Sequence, residues 1–270
     1  MSQALAACGE GGGIPEGPAA LNVTITTFEF LTGPERPVPF AVRTLDNVEL
    51  RDADVQVYLR DPDGNVRGGP FDTRYTEAPG TGLGLYVADL SISEPGPVEV
   101  VAVEGERYGA TTINAVAPEE SQIPAPGVIA PVVATPTTDE PRGYQKICTQ
   151  DPPCGMHDVN LEVALAEGTP VMLLFATPEY CQTVVCGPAV ETVDGVRTSG
   201  DWGDVAWIHC EIYSKVDGSE LVTGKPVQTW ALPSEPWLFG ISEQGQVVSR
   251  LDGPMLTEMI ESMAEGVAPA

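Results

Sequence analysis

The hydrophobic rhythm of this chain changes near residue 142, and that change demands two different architectures in succession. From about residue 20 to residue 117 apolar residues recur at every second position in short runs. Val23-Thr24-Ile25-Thr26-Thr27-Phe28-Glu29-Phe30, Val55-Gln56-Val57-Tyr58-Leu59-Arg60, Leu85-Tyr86-Val87-Ala88-Asp89-Leu90 and Val98-Glu99-Val100-Val101-Ala102-Val103 are the clearest. Alternation of this kind places one face of a strand on a core and the other in water. Turn chemistry separates the runs, with Asp61-Pro62-Asp63-Gly64 a hairpin signal and Pro95-Gly96-Pro97 an entry to a strand. Nothing in this stretch has helical period. About seven short strands at this spacing predict an antiparallel all-β sandwich over 20–117.

Residues 118–141 carry Pro-Ala-Pro-Gly at 124–127 and Thr-Pro-Thr-Thr at 135–138, with no lysine or arginine before 142. The composition predicts an extended linker. From 142 to 270 helix and strand alternate. Asn160 is placed to cap a short helix ended by Gly168, and Val171–Phe175 is a continuous apolar run expected of a strand buried on both faces. A helix is expected after the Cys181–Cys186 segment, to about Val193. Val205–Tyr213 reads as the next strand. Trp237–Ile241 and Val247–Arg250 flank Glu243-Gln244-Gly245 as a hairpin. Leu256, Met259, Ile260 and Met263 follow at 3,4,3 spacing, an apolar stripe for a final helix.

Charge bears on partners. Thirty-nine acidic residues against 13 basic ones give a net charge of −26, and only 3 of the cations are Lys. A nucleic-acid binder needs a basic footprint, so nucleic acid is excluded as an expected partner, and adhesion to anionic lipid by charge alone is disfavoured. No run of 18 apolar residues exists that could form a membrane-spanning helix. Walker-type phosphate loops, Gly-x-Gly-x-x-Gly after a strand, His-Glu-x-x-His and Gly-x-Ser-x-Gly are all missing. No cofactor is expected.

The six cysteines are at 8, 148, 154, 181, 186 and 210, with none between 9 and 147. Clustering of five within 148–210 points to local disulfide or metal chemistry, and paired cysteines point to an oxidising, extracytoplasmic compartment. Cys148 and Cys154 bracket a loop with two prolines, which reads as a disulfide-stapled loop or, alternatively, a second dithiol relaying electrons. Cys210 alternates with Ala206, Ile208 and Ile212, the apolar face of its strand, and is expected as a core thiol. His209 falls on the other face with Trp207, Glu211 and Tyr213, expected as a hydrogen-bonded strand histidine. No metal site is assigned.

Three resemblances add to this. Leu5-Ala6-Ala7-Cys8 resembles the lipobox of bacterial lipoproteins, in which the cysteine is lipidated, and Gly9–Gly13 looks like the tether that follows. Only seven residues precede Cys8, without the charged and apolar regions of a signal, so 1–19 reads as a truncated lipobox and tether. The 20–117 segment is similar in strand rhythm to the immunoglobulin-like modules of secreted bacterial proteins, implying a binding or spacing role.

The segment after 142 resembles the thioredoxin family. Phe175-Ala176-Thr177-Pro178-Glu179-Tyr180-Cys181 looks like that family's strand and redox loop. Glu235-Pro236-Trp237-Leu238-Phe239 looks like its cis-proline and following strand, and Asp252-Gly253 before an amphipathic helix looks like its C-terminal end. The departure is a Cys-x4-Cys spacing, Cys181 to Cys186, where the family has two intervening residues. Cys186-Gly187-Pro188-Ala189 also resembles the family's Cys-Gly-Pro-Cys with its second cysteine replaced. The resemblance implies an α/β thioredoxin-like fold and thiol–disulfide exchange on protein thiols. Cys181 would be the attacking thiol at a helix N-terminus, Cys186 the resolving one, and Pro236 a cis residue shaping the substrate groove. The same pair could instead be a structural disulfide of a non-catalytic surface binding protein. A copper chaperone of Sco type is a further alternative, with Cys181, Cys186, His209, His157 and Met156 as soft ligands.

Overall fold

A computed structural model describes residues 13–181, 184–218 and 220–268. Cys8 and its lipobox context lie outside the described residues. The described chain is predominantly β, and its strands fall into an eight-stranded sheet, a four-stranded sheet and a two-stranded ribbon.

The first sheet uses β1 (Leu21–Ile25), β2 (Phe30–Leu31), β3 (Arg36–Thr44), β4 (Gln56–Arg60), β5 (Val66–Glu77), β6 (Gly84–Leu90), β7 (Gly96–Glu104) and β8 (Arg107–Val116). Their order is β1-β3-β6-β5-β4-β7-β8-β2. β5 is long enough to serve two layers. Its Phe71 and Asp72 pair with β4, whereas Thr73–Glu77 pair with β6. The sheet thus curls over one core, in which Val38, Phe40, Val42, Val57, Leu59, Tyr86, Ala88, Val100 and Ala102 meet. The expected antiparallel sandwich differs in two respects. The strand expected over 23–30 breaks after Ile25 and resumes as β2, and β2 pairs with β8 in parallel. The predicted hairpin at 61–64 is present, with Asp61 Oδ1 accepting from the Asn65 N–H at 2.8 Å and Gly64 in the left-handed region.

The second sheet begins after α1 (Leu161–Glu167), which Asn160 caps by accepting from the Glu162 N–H and Gly168 ends at φ 70°. Then come β9 (Val171–Phe175), α2 (Cys186–Ser199), β10 (Ala206–Cys210), the ribbon β11 (Tyr213–Asp217) and β12 (Glu220–Thr223), α3 (Lys225–Thr229), β13 (Trp237–Ile241), β14 (Val247–Asp252) and α4 (Thr257–Val267). The order is β10-β9-β13-β14, with β9 and β10 parallel and β13 antiparallel to both neighbours. This βαβ unit followed by a ββα unit is the connectivity that the thioredoxin resemblance implies.

Every residue of β9, β10 and β13 is buried, because both sheet faces are covered. On one face α2 and α4 set Val190, Val193, Ile260 and Met263 against Met172, Leu174 and Leu238. On the other lie α1, Trp230 and the 121–135 segment. That segment was expected as a free linker, and it instead packs. Ile123, Ala130 and Val133 are buried in the core, and the Ala130 N–H donates to the Gly245 carbonyl at 2.9 Å. The 205–213 strand is also shorter than expected, since the chain leaves the sheet after Cys210 for the β11–β12 ribbon.

The two sheets touch. Leu256 and Met259, the start of the predicted α4 stripe, pack on Ala41, Leu85 and Val87 of the first sheet. The Phe28 N–H donates to Asp252 Oδ1 at 2.6 Å, and Arg250, whose side chain is 4% exposed, pairs with Glu29.

Candidate functional site

β9, an interior strand, delivers the chain to one end of the second sheet, and residues 176–181 lead from there toward α2. Cys186 is the first residue of α2. Cys181 and Cys186 form a disulfide with their Cα atoms 6.1 Å apart, within the range such bridges adopt. Helical i,i+5 positions point apart, so the pair closes only because Cys181 lies before α2 begins. The expectation that Cys181 itself occupies the helix N-terminus is therefore corrected, because that place belongs to Cys186. The two residues differ in burial: Cys181 is half-buried, while Cys186 is 0% exposed in the cluster that holds Leu174, Ala176 and Val190.

The Glu235–Pro236 peptide is cis. Glu235 itself is a group that the sequence reading did not single out. A carboxylate oxygen of Glu235 lies within 4.8 Å of both sulfurs. Burial pushes the Glu235 carboxyl above its ordinary range. The signal available in the sequence was its place directly before the proline. Tyr180 sits edge-on to Tyr213 beside this pair, with ring centroids 6.3 Å apart.

The other two cysteines of the region assemble differently. Cys148 and Cys154 are free thiols with their sulfurs 3.8 Å apart, so the expected staple is corrected. His157 Nε2 lies 3.2 Å from Cys154 Sγ. His209 Nδ1 lies 3.3 Å from the same sulfur and 3.9 Å from Cys148 Sγ. All four ligand atoms are within 4.8 Å of one another. Histidines expected at most to serve the Cys181–Cys186 pair thus face the other pair, and Met156 is a 1% exposed core residue of the helical side of the sheet. The residues offered as a copper alternative, Cys181, Cys186, His209, His157 and Met156, are thus divided between two places, the histidines lying with Cys148 and Cys154.

The local scaffold explains the convergence. The His209 N–H donates to the Met156 carbonyl at 2.9 Å, which lays the 154–157 loop along the free edge of β10. Glu211, 1% exposed, accepts from the Thr149 N–H at 2.6 Å and the Thr149 hydroxyl at 2.8 Å, fixing the residue after Cys148. Burial pushes the Glu211 carboxyl up, against the opposing pull of His209 and Thr149. The hydrogen bond between the two thiols, with further help from His157 and His209, holds Cys148 well below the usual thiol range. The same bond pushes Cys154 up. Cys210 is where it was expected, fully buried on the opposite face beside Tyr144.

No family model matches the chain, and no curated protein matches it. Among solved structures it is similar to a thiol:disulfide interchange protein DsbE from Chlorobium tepidum, at 15% identity and a TM-score of 0.39, over 54% of this chain and 99% of that one. It is also similar to the Lin-41 filamin domain, at 19% identity and a TM-score of 0.24, over 37% of this chain and 98% of that one. Titin M4 is a further neighbour, at 12% identity and a TM-score of 0.22, over 37% of this chain and 96% of that one.

Proposed function

We propose that this protein is a thiol–disulfide oxidoreductase whose second half, 142–270, is a thioredoxin-like domain and whose 20–117 half is an immunoglobulin-like binding or spacing module. The observation that carries the reading is the Cys181–Cys186 bridge, with Cys181 only partly buried, Cys186 buried at the start of α2, and Glu235 beside both. Access selects Cys181 as the attacking thiol, because substrate must reach it in line.

In the reducing direction the Cys181 thiolate attacks a substrate disulfide. It forms a mixed disulfide and expels one substrate thiolate. Cys186 then attacks Cys181 Sγ, the second substrate thiol leaves, and the bridge present in the structure is regenerated. Two electrons have moved from the pair to the substrate. Glu235 is suited to take the proton from the buried Cys186 thiol, since a carboxyl raised by burial exchanges protons closer to neutral pH. Pro236 contributes the wall of the substrate groove.

The substrates on this reading are protein thiols and disulfides, and the compartment is extracytoplasmic, with Cys8 as the lipid-attachment point that its context resembles. A trapping experiment tests the activity. Cys186→Ser should accumulate a mixed disulfide with a reduced-and-reoxidised protein substrate, and Cys181→Ser should not. Equal behaviour of the two variants contradicts the assignment.

A further inference from the structure

We propose that Cys148, Cys154, His157 and His209 form a closed tetrahedral site for a zinc-class divalent cation, separate from the thiol pair that performs exchange. A zinc ion with bonds of about 2.3 Å to sulfur and 2.0–2.1 Å to nitrogen, at tetrahedral angles, holds its two sulfurs about 3.8 Å apart and each sulfur about 3.5 Å from each nitrogen. The sulfurs here are 3.8 Å apart, three of the four sulfur–nitrogen separations are 3.2, 3.3 and 3.9 Å, and the fourth, from Cys148 to His157, is within 4.8 Å. The match concerns four side chains at once, from a loop and a strand distant in sequence.

The surroundings support a ligand role for His209. Its Nε2 lies 3.1 Å from the Ala176 carbonyl oxygen. A carbonyl can only accept, so Nε2 carries a proton and, in the neutral ring, Nδ1 presents a lone pair to the sulfurs. That is the outer-shell arrangement which orients an imidazole toward a metal. Glu211 plays the corresponding part for Cys148 by anchoring Thr149. His157 and His209 are 5% and 0% exposed and both cysteines are partly buried, so the two imidazoles hold the inner side of the site and the two thiols its outer side.

Charge balances as well. Binding releases one proton from each thiol, and two thiolates with two neutral imidazoles neutralise the 2+ ion. Two sulfur and two nitrogen donors in a tetrahedron suit zinc better than the oxygen-seeking cations. Four protein ligands leave no open position, so the role is structural: the ion ties the 148–157 loop to β10. Thiols committed to a metal cannot relay electrons, and the relay reading of Cys148 and Cys154 is displaced.

The test uses the whole chain carrying no polyhistidine tag, purified without chelator from zinc-containing medium, with metal content measured by mass spectrometry. About one zinc per chain is expected, retained in Cys181→Ser and lost in Cys154→Ser and in His209→Asn. Because those ligand variants could fold poorly, unmutated protein stripped of metal is titrated with Co2+. One equivalent should produce the intense visible bands of tetrahedral cobalt and a thiolate-to-cobalt charge-transfer band. Metal-free protein with a Cys148–Cys154 disulfide, stoichiometric copper in place of zinc, loss of the metal in Cys181→Ser, or an octahedral cobalt spectrum each overturns the proposal.

Discussion

Cys181 and Cys186 are five positions apart, and Glu235 reaches both sulfurs from a different part of the chain. On the proposed reading the three side chains divide the work that a thiol exchange requires: access, resolution and proton transfer. Removing only the proton acceptor should therefore leave the attack by Cys181 and formation of the mixed disulfide intact while slowing the resolving step that closes the Cys181–Cys186 bridge. Glu235→Gln is expected to lower the rate of mixed-disulfide resolution by roughly 10²-fold, the lower end of general-base effects. Its pH profile should also change. The wild-type rate should rise as the elevated Glu235 carboxyl deprotonates, and the variant should lack that limb, as stopped-flow measurements across pH would show. An unchanged profile would remove Glu235 from the mechanism. The Cys2His2 cluster was not visible at this scale from sequence, because Cys-x5-Cys-x2-His at 148–157 lies in an aperiodic loop. Its fourth member, His209, sits on a strand for which alternation assigned only one buried face. A lone histidine adjoining that spacing was the available signal.

At the scale of elements, the parts that could be read were those whose local physics is self-contained. The apolar run 171–175, the Asn160 cap and the Gly168 stop belong to short segments and appear where expected. Asn160 does more than cap, since its side-chain amide also donates to the Thr135 carbonyl at 3.2 Å. Asn160→Ala should destabilise by about 1–2 kcal/mol, measured by urea unfolding at constant m-value, against about 1 for an ordinary cap. What escaped prediction depended on partners far away. The 121–135 segment has linker composition and no periodicity, yet it is held by hydrogen bonds to the β13–β14 turn. The β11–β12 ribbon and α3 are too short for a hydrophobic period to declare itself. Gly253 follows β14 in the left-handed region at φ 73°, and a β-carbon there would collide with the Thr26 carbonyl. Gly253→Ala should cost on the order of 1–3 kcal/mol through strain and loss of that approach, read as a lowered unfolding midpoint.

Across the whole molecule, the two sheets are coupled by charged groups taken out of water. Asp252 accepts from Phe28 and lies near Arg250, which pairs with Glu29 and stacks 5.4 Å from the Trp237 ring centroid. Burial raises the Asp252 carboxyl from 3.8 to about 7 despite that hydrogen bond. Between those two values the folded protein holds a proton that the unfolded chain has released. Its contribution to stability is therefore greatest in acid and declines as pH rises toward 7. Asp252→Asn, which keeps an acceptor for Phe28, should flatten the stability–pH curve between about pH 4 and 7 relative to wild type. Parallel curves would show that Asp252 ionises normally. The net charge of −26, which excluded nucleic acid as an expected partner, acquires no catalytic role from this architecture.

The reduction potential of the Cys181–Cys186 pair tests the central claim most directly. It can be measured on the full chain by equilibration with glutathione buffers and alkylation of the freed thiols, with Cys148 and Cys154 scored separately by peptide mass spectrometry. An exchange catalyst should titrate between about −120 and −270 mV, the span of known thiol–disulfide oxidoreductases. A midpoint below about −300 mV would mark a structural bridge and contradict the account.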